Sequence, residues 1–138
     1  MSAMNDFNQK VITEFRANQG KVSGQMAGMP LLLLTTTGNK TGRTLTKPLC
    51  YTQDGDSMFV IASFAGSPHD PAWFANLSAN PMVTVEVGSE RFQARCRITS
   101  GEERARLFKL QADNMNIFHD YQKKTTRQIP VVVLERVK

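Results

Sequence analysis

Residues 31–63 read LLLLTTTGNKTGRTLTKPLCYTQDGDSMFVIAS, and the way this stretch divides decides the fold. Leu31 to Thr36 starts apolar and finishes β-branched. A four-leucine run by itself suits a helix as well as a strand, but the threonines and the following Gly38 favour a strand. Gly38 to Gly42 is loop, and Thr44 to Tyr51 resumes an extended pattern interrupted by Pro48. Proline has no N–H to give a ladder, so an edge position or a bulge is implied there. Asp54-Gly55 is a hairpin turn signal leading into a strand from Ser57 to Ser63. Three strands joined by such short connections run antiparallel.

Working outward, Asn5 or Asp6 caps a first helix whose Phe7, Val11, Ile12 and Phe15 fall on one face, with Gly20 as its stop. Lys21 to Met29 is a polar, glycine-rich connection. On the other side, Asp70 precedes Pro71, which places a capping side chain before a proline at the first position of a short helix, Pro71 to Ser78, ended by Asn80-Pro81. Met82 to Val87 and Arg91 to Ile98 form a second hairpin across Gly88-Ser89, with Val83, Val85 and Val87 alternating against Thr84 and Glu86. Ser100 with Glu103 has the spacing of a capping box for a helix through Gln111, and Asp113 to Lys124 reads as a second helix or helical turn. Ile129 to Val137 closes the chain as a strand with Pro130 at its start. Six mostly antiparallel strands in 138 residues predict one α+β domain over 1–138, its sheet closed into a small barrel that leaves no exposed edge.

Seventeen basic against twelve acidic residues give a net charge of +5, which favours an anionic partner. The cations are spread along the chain without the interleaved aromatics of a single-strand nucleic-acid binder, so a small anion is the better fit and nucleic acid is not expected. The polar N-terminus lacks the pattern of a secretory leader, and the apolar run Pro30 to Leu34 is far too short to span a bilayer. A cytoplasmic protein is expected, and the amphipathic first helix leaves peripheral membrane contact open. Cys50 and Cys96 lack CxxC spacing and read as reduced thiols without a role. Two histidines and scattered acids supply no Ser/His/Asp order, no paired carboxylates and no metal-ligand cluster, so catalysis needs a cofactor to bring it.

The loop Gly38-Asn39-Lys40-Thr41-Gly42-Arg43, with Lys47 beyond it, combines flexible glycines, a hydroxyl and cations, which is chemistry for phosphate or carboxylate. It lacks the ending of a nucleotide-binding P-loop, and read alone it is equally an ordinary exposed hairpin loop. Trp73 and Asn76 stand three apart and share a helix face. They suit a wall and an amide for a flat polar-edged ring, although a lone tryptophan also serves as plain core. His69 is read as a solvated loop histidine.

These residues carry a resemblance. TTTGNKTG with Pro48-Leu49, then Ala62-Ser63, then Pro71-Ala72-Trp73-Phe74-Ala75-Asn76-Leu77 with Asn80-Pro81, and finally Ile129-Pro130-Val131-Val132-Val133-Leu134-Glu135 together resemble the deazaflavin-dependent nitroreductase family, in order and over nearly the whole chain. The resemblance implies a split β-barrel and the use of reduced coenzyme F420 as hydride donor. It puts the coenzyme's phosphate and oligoglutamate tail on Lys40, Thr41 and Gly42, helped by Arg43 and Lys47. It puts the ring beside Pro48 and Leu49, in a pocket with Ala62, Ser63, Phe64, Trp73 and Asn76. Tyr121, Phe118 and the helix carrying Phe7 and Phe15 are the candidate acceptor wall, with no metal and no assigned catalytic side chain.

Asn39 and Leu45 stand where the family often has basic residues, and Phe64-Ala65-Gly66 is bulkier than the family's glycine-rich turn. Only Tyr121 matches the tyrosines of the nitroimidazole-reducing relatives, with Met115 and Phe118 at the other two places. The implied acceptor is therefore a quinone, enone or unsaturated lactone ahead of a nitro compound. A flavin mononucleotide oxidoreductase on the same barrel and a non-catalytic module for anionic ligands are the alternatives.

Overall fold

In a computed structural model, which describes residues 3–24, 27–38 and 40–137, the chain forms six strands and four helices. In chain order these are α1 (Ala3–Ala17), β1 (Leu31–Thr37), β2 (Thr44–Asp54), β3 (Ser57–Ile61), α2 (Ala72–Ala79), β4 (Met82–Val87), β5 (Glu90–Ile98), α3 (Gly101–Asn114), α4 (Ile117–Lys123) and β6 (Val131–Arg136). A single 3-10 turn, Phe64–Gly66, lies between β3 and α2. The strands close into a barrel in the order β1-β2-β3-β6-β5-β4, and every neighbouring pair is antiparallel. The α+β split-barrel reading holds, and Asn39 lies outside the described residues.

The four-leucine run is a strand because both of its faces are covered. Leu32 and Leu34 point into the barrel among Val60, Val83, Val85, Val132 and Leu134, whereas Leu31 and Leu33 point out under Val11, Ile12 and Phe15 of α1. A strand buried on two sides has no reason to alternate polar and apolar residues. The same logic writes VVVL into β6: Val132 and Leu134 face inward, while Val131 and Val133 pack outward against Leu107, Phe108 and Ala112 of α3 and Phe118 of α4. Each fully buried aliphatic side chain contributes roughly 1.5–3 kcal/mol over exposure. Trp73 and Leu77 place α2 against the inner cluster.

Some local expectations shift. Helix α1 begins at Ala3, ahead of the caps expected at Asn5 or Asp6. Pro71, not Asp70, is the residue before α2, and it offers no side-chain cap. Asp70 instead accepts a hydrogen bond from Arg127 at 2.8 Å. Ser100 does precede α3, but its hydroxyl makes no capping bond, and Glu103 is taken by Arg97 through two contacts of 2.6 and 3.0 Å. A charged fork from β5 to α3 outcompetes a neutral local cap. The late segment resolves into α4, joined to α3 by a two-residue bend. Among the described residues no helix is long and apolar enough to cross a membrane.

Candidate active site

Strand β2 is longer than either neighbour can cover. Its Thr44–Cys50 half pairs with β1, but β3 pairs with β2 only from Tyr51 to Asp54. Pro48 therefore sits opposite Leu33 in a stretch with a strand on one side alone, where a missing N–H costs no ladder bond on the other. Along that uncovered flank the structure opens a cavity of about 380 Å³. Its walls come from five elements: Lys47, Pro48, Leu49 and Cys50 of β2; Ile61, Ser63, Phe64 and Ala65 at and after the end of β3; Pro71, Ala72 and Trp73 entering α2; Phe118 and Tyr121 of α4; and Asn8 of α1. The lining is mostly apolar with a few polar groups, and the volume falls in the usual range for small-molecule sites, roughly 300–1,000 Å³.

Two further hollows lie in line with this chamber, each sharing lining residues with the next. One of about 370 Å³ lies between α1 and β2 and shares Asn8 and Lys47 with the chamber, adding Arg16, Thr44 and Thr46. Another, of about 310 Å³, shares Thr44 and Leu45 with the second and is lined by Lys40, Thr41, Arg43 and Asn76. An apolar chamber thus adjoins a groove bordered by cations. Lys40, Arg43 and Lys47 enter no salt bridge among the described residues, so their charge is free for an anion. Arg16, by contrast, is forked onto the buried carboxylate of Glu86 at 3.0 and 2.9 Å.

The two loops that frame the site are built differently. In the cationic loop the Gly38 N–H donates to Arg43 O at 2.7 Å, the Gly42 N–H to Gly38 O at 3.0 Å and the Arg43 N–H to the Thr41 hydroxyl at 3.2 Å. The side chains of Lys40, Thr41 and Arg43 stay exposed. In the loop after β3, Phe64 and Ala65 adopt φ of 45° and 54°, the left-handed region that costs a side-chain-bearing residue roughly 1–2 kcal/mol. Gly66 follows at φ 78°, and a Cβ there would stand 2.8 Å from the carbonyl oxygen of Tyr121. Left-handed residues in succession persist only where surrounding contacts hold them.

The chamber gathers Pro48, Leu49, Ser63, Phe64, Trp73, Phe118 and Tyr121 from the expected ring and acceptor residues, and Lys47, expected at the tail, lines it as well. Phe118 and Tyr121 meet edge to face with centroids 5.6 Å apart. Lys40, Thr41, Arg43 and Asn76 gather at the far hollow instead. Asn76 is buried and donates to the Thr36 hydroxyl at 3.1 Å, which sets it between loop and barrel rather than in the chamber. Ala62 is fully buried and absent from the lining. Its N–H donates to Pro130 O at 2.9 Å, extending the β3–β6 pairing. Phe15 is corrected to core: only 1% exposed, it packs with Val11, Ile12, Leu31 and Leu33. His69 is exposed, as its loop position implied.

Burial raises the Cys50 thiol above its ordinary range and pushes Cys96 up to about 12, so both are protonated thiols at neutral pH. Among the described residues no cluster could hold a metal ion. Sequence reasoning missed Asn8, which reaches the chamber from α1, and Arg127, whose guanidinium grips the loop after β3 from the far end of the chain. Both contacts are long-range, and no local spacing announces them.

Comparison with known proteins gives this geometry a family. An F420H(2)-dependent quinone reductase of Mycobacterium tuberculosis is 40% identical over 126 residues, spanning 88% of this chain and 85% of that protein. A solved F420-dependent reductase superposes with a TM-score of 0.71 at 36% identity, covering 77% of this chain and 94% of its own. A second structure, described as a domain-swapped dimer, gives 0.73 at 33% identity over 96% and 100%. The family model for F420H(2)-dependent quinone reductase matches residues 8–136, and the chain belongs to that family.

Proposed function

We propose that the chamber binds the ring of reduced F420 and a quinone-type acceptor together, and that the groove along β2 receives the coenzyme's anionic tail. The observation that carries this reading is adjacency: an apolar chamber shares Lys47 with a hollow that in turn borders one lined by Lys40 and Arg43, all three cations being free of carboxylate partners among the described residues. That pattern matches a flat ring with a polyanionic tail. When bound, the reduced deazaflavin supplies a hydride from its C5 to the acceptor.

The chain's own part is positioning and exclusion of water. Trp73 and the Pro48-Leu49 stretch wall one side, and the Phe118–Tyr121 pair walls another, so that donor and acceptor carbons can be held at near-attack distance. Ser63 and Tyr121 are the chamber's hydroxyls, suited to donate to an acceptor carbonyl oxygen, and Lys47 at the mouth favours negative charge developing there. Cys50 lines this space while packing against the clusters under α1 and α3, and burial keeps its thiol protonated. Since the thiolate is the form that adds to electrophiles, an enone or quinone is spared capture.

Among the described side chains of α1, Val11, Ile12 and Phe15 are buried against the barrel, and Phe7, 40% exposed, is an apolar side chain left for any peripheral surface. The decisive test is anaerobic mixing with reduced F420 and a panel of quinones, enones and lactones, following return of the oxidised coenzyme's absorbance. Turnover with quinones ahead of nitro compounds is the expected result, and no turnover with any acceptor removes the reading. Trp73, the chain's one tryptophan, reports the cofactor. Quenching by flavin mononucleotide and not by F420 would favour the flavin alternative.

A further inference from the structure

We infer that Arg127 is a positioning residue that fixes the spacing between the two walls of the chamber, an inference that rests on the function just proposed. Its Nε donates to Ser67 O at 2.8 Å, its Nη2 to Ser63 O at 2.8 Å and its Nη1 to Ala62 O at 3.3 Å and to Asp70 Oδ1 at 2.8 Å. One planar fork thus binds three carbonyls and a carboxylate along the loop after β3, bracketing Phe64 and Ala65, the two residues held at positive φ. The guanidinium side chain is only 16% exposed, so these bonds are not those of a surface arginine.

The other end of Arg127 is tied to the opposite wall. Its carbonyl accepts from Gln122 Nε2 at 2.8 Å, and Gln122 directly follows Tyr121 on α4. Gln122 Oε1 in turn accepts from Arg104 of α3 at 2.9 Å and from the Ile129 N–H at 3.1 Å. Gly66 presses against the Tyr121 carbonyl so closely that no Cβ fits between them. Ser63 and Phe64 on one wall and Tyr121 on the other are therefore held at a separation set through one residue. A lysine cannot replace it, because a tetrahedral ammonium lacks the flat, spread donors that reach Ser63, Ala62 and Ser67 at once.

The test compares R127K, R127Q and D70N with the wild type by three readings: kcat with saturating reduced F420 and menadione, the F420 dissociation constant from Trp73 quenching, and the melting temperature. Absence of wild-type binding and turnover would fail the proposed function itself. Given wild-type activity, folded R127Q is expected to lose about 100-fold in kcat and R127K at least about tenfold, the scale of an ångström-sized misplacement. F420 affinity should stay within about threefold, because the tail cations are untouched. D70N, which only slackens one arm of the fork at a half-exposed carboxylate, should lose about threefold. A folded R127K or R127Q with kcat within twofold of wild type overturns the inference. So does kcat falling only in step with lost F420 binding, or wild-type kcat in D70N when both Arg127 variants fail to fold.

Discussion

The loop from Gly38 to Arg43 and the loop from Ala62 to Asp70 border the same site, yet one displays cations and the other is clamped by a remote arginine. The first is held by a few of its own backbone bonds and presents exposed cations with no carboxylate partners among the described residues. The second holds Phe64 and Ala65 in left-handed conformations under four bonds from Arg127. On the function proposed above, the difference follows from what each loop would bind. Charge attraction to a flexible polyanion tolerates movement of an ångström or two, because Coulomb energy varies slowly with distance. Hydride transfer requires reacting atoms about 3–3.5 Å apart, and small errors cost orders of magnitude in rate.

The largest expected effect comes from paired glycine substitutions. Gly66→Ala puts a Cβ 2.8 Å from the Tyr121 carbonyl oxygen and 3.0 Å from Lys124 Cβ, at a φ of 78°. The α4 wall must shift, so turnover should fall about 100-fold. The melting temperature should drop on the order of 10 °C, for a loss of about 2–3 kcal/mol. Gly42→Ala has the same hand, φ 72°, but nothing within 4 Å. It should cost only the left-handed penalty of about 1 kcal/mol, with turnover within twofold. Equal losses at the two glycines would erase the contrast between the cationic and the clamped loops.

A smaller effect should separate affinity from rate. Lys40→Ala combined with Arg43→Ala removes two exposed cations from the tail groove. F420 binding, followed by Trp73 quenching at low ionic strength, should weaken about tenfold, equivalent to about 1.4 kcal/mol. The deficit should shrink toward 0.3 M salt as screening removes the same attraction from the wild type. At saturating coenzyme kcat should be unchanged. A fall in kcat would mean that the cationic loop also sets ring geometry, and the division of labour drawn between the two loops would fail.

The sequence made the cationic loop legible and hid the clamped one, for a physical reason. Lys40, Thr41, Gly42 and Arg43 are contiguous, so their chemistry can be read in a single window. The barrel was legible too, since the turn at Asp54-Gly55 and the alternation in β4 are local signals. The clamp joins residues 57 to 65 positions apart, and its arginine sits in an unremarkable TTRQIP segment. Phe15 was misplaced for a related reason: helical spacing says which residues share a face, not whether that face meets a ligand or a strand of leucines. Asp70 failed as a cap because an arginine 57 positions away claimed it, which no local pattern records, and Glu103 was claimed by Arg97 of the preceding strand.

Phe64 offers the finest test of what the clamp restrains. Its side chain is 49% exposed and lines the chamber, while its backbone stands at φ 45°. Phe64→Gly deletes an aromatic side chain, a change that would cost about 3–5 kcal/mol in a core. Here it also removes a left-handed penalty of roughly 1–2 kcal/mol, offset by the 0.5–1 kcal/mol or so that glycine loses in chain entropy on folding. The two backbone effects nearly cancel, and a half-exposed ring contributes little packing, so the melting temperature should move by less than about 3 °C. The acceptor KM should rise about threefold as one wall recedes, while the F420 dissociation constant stays put. A drop beyond about 5 °C would assign the ring a packing role, and the strain at residue 64 would then be held by its own side chain rather than by Arg127.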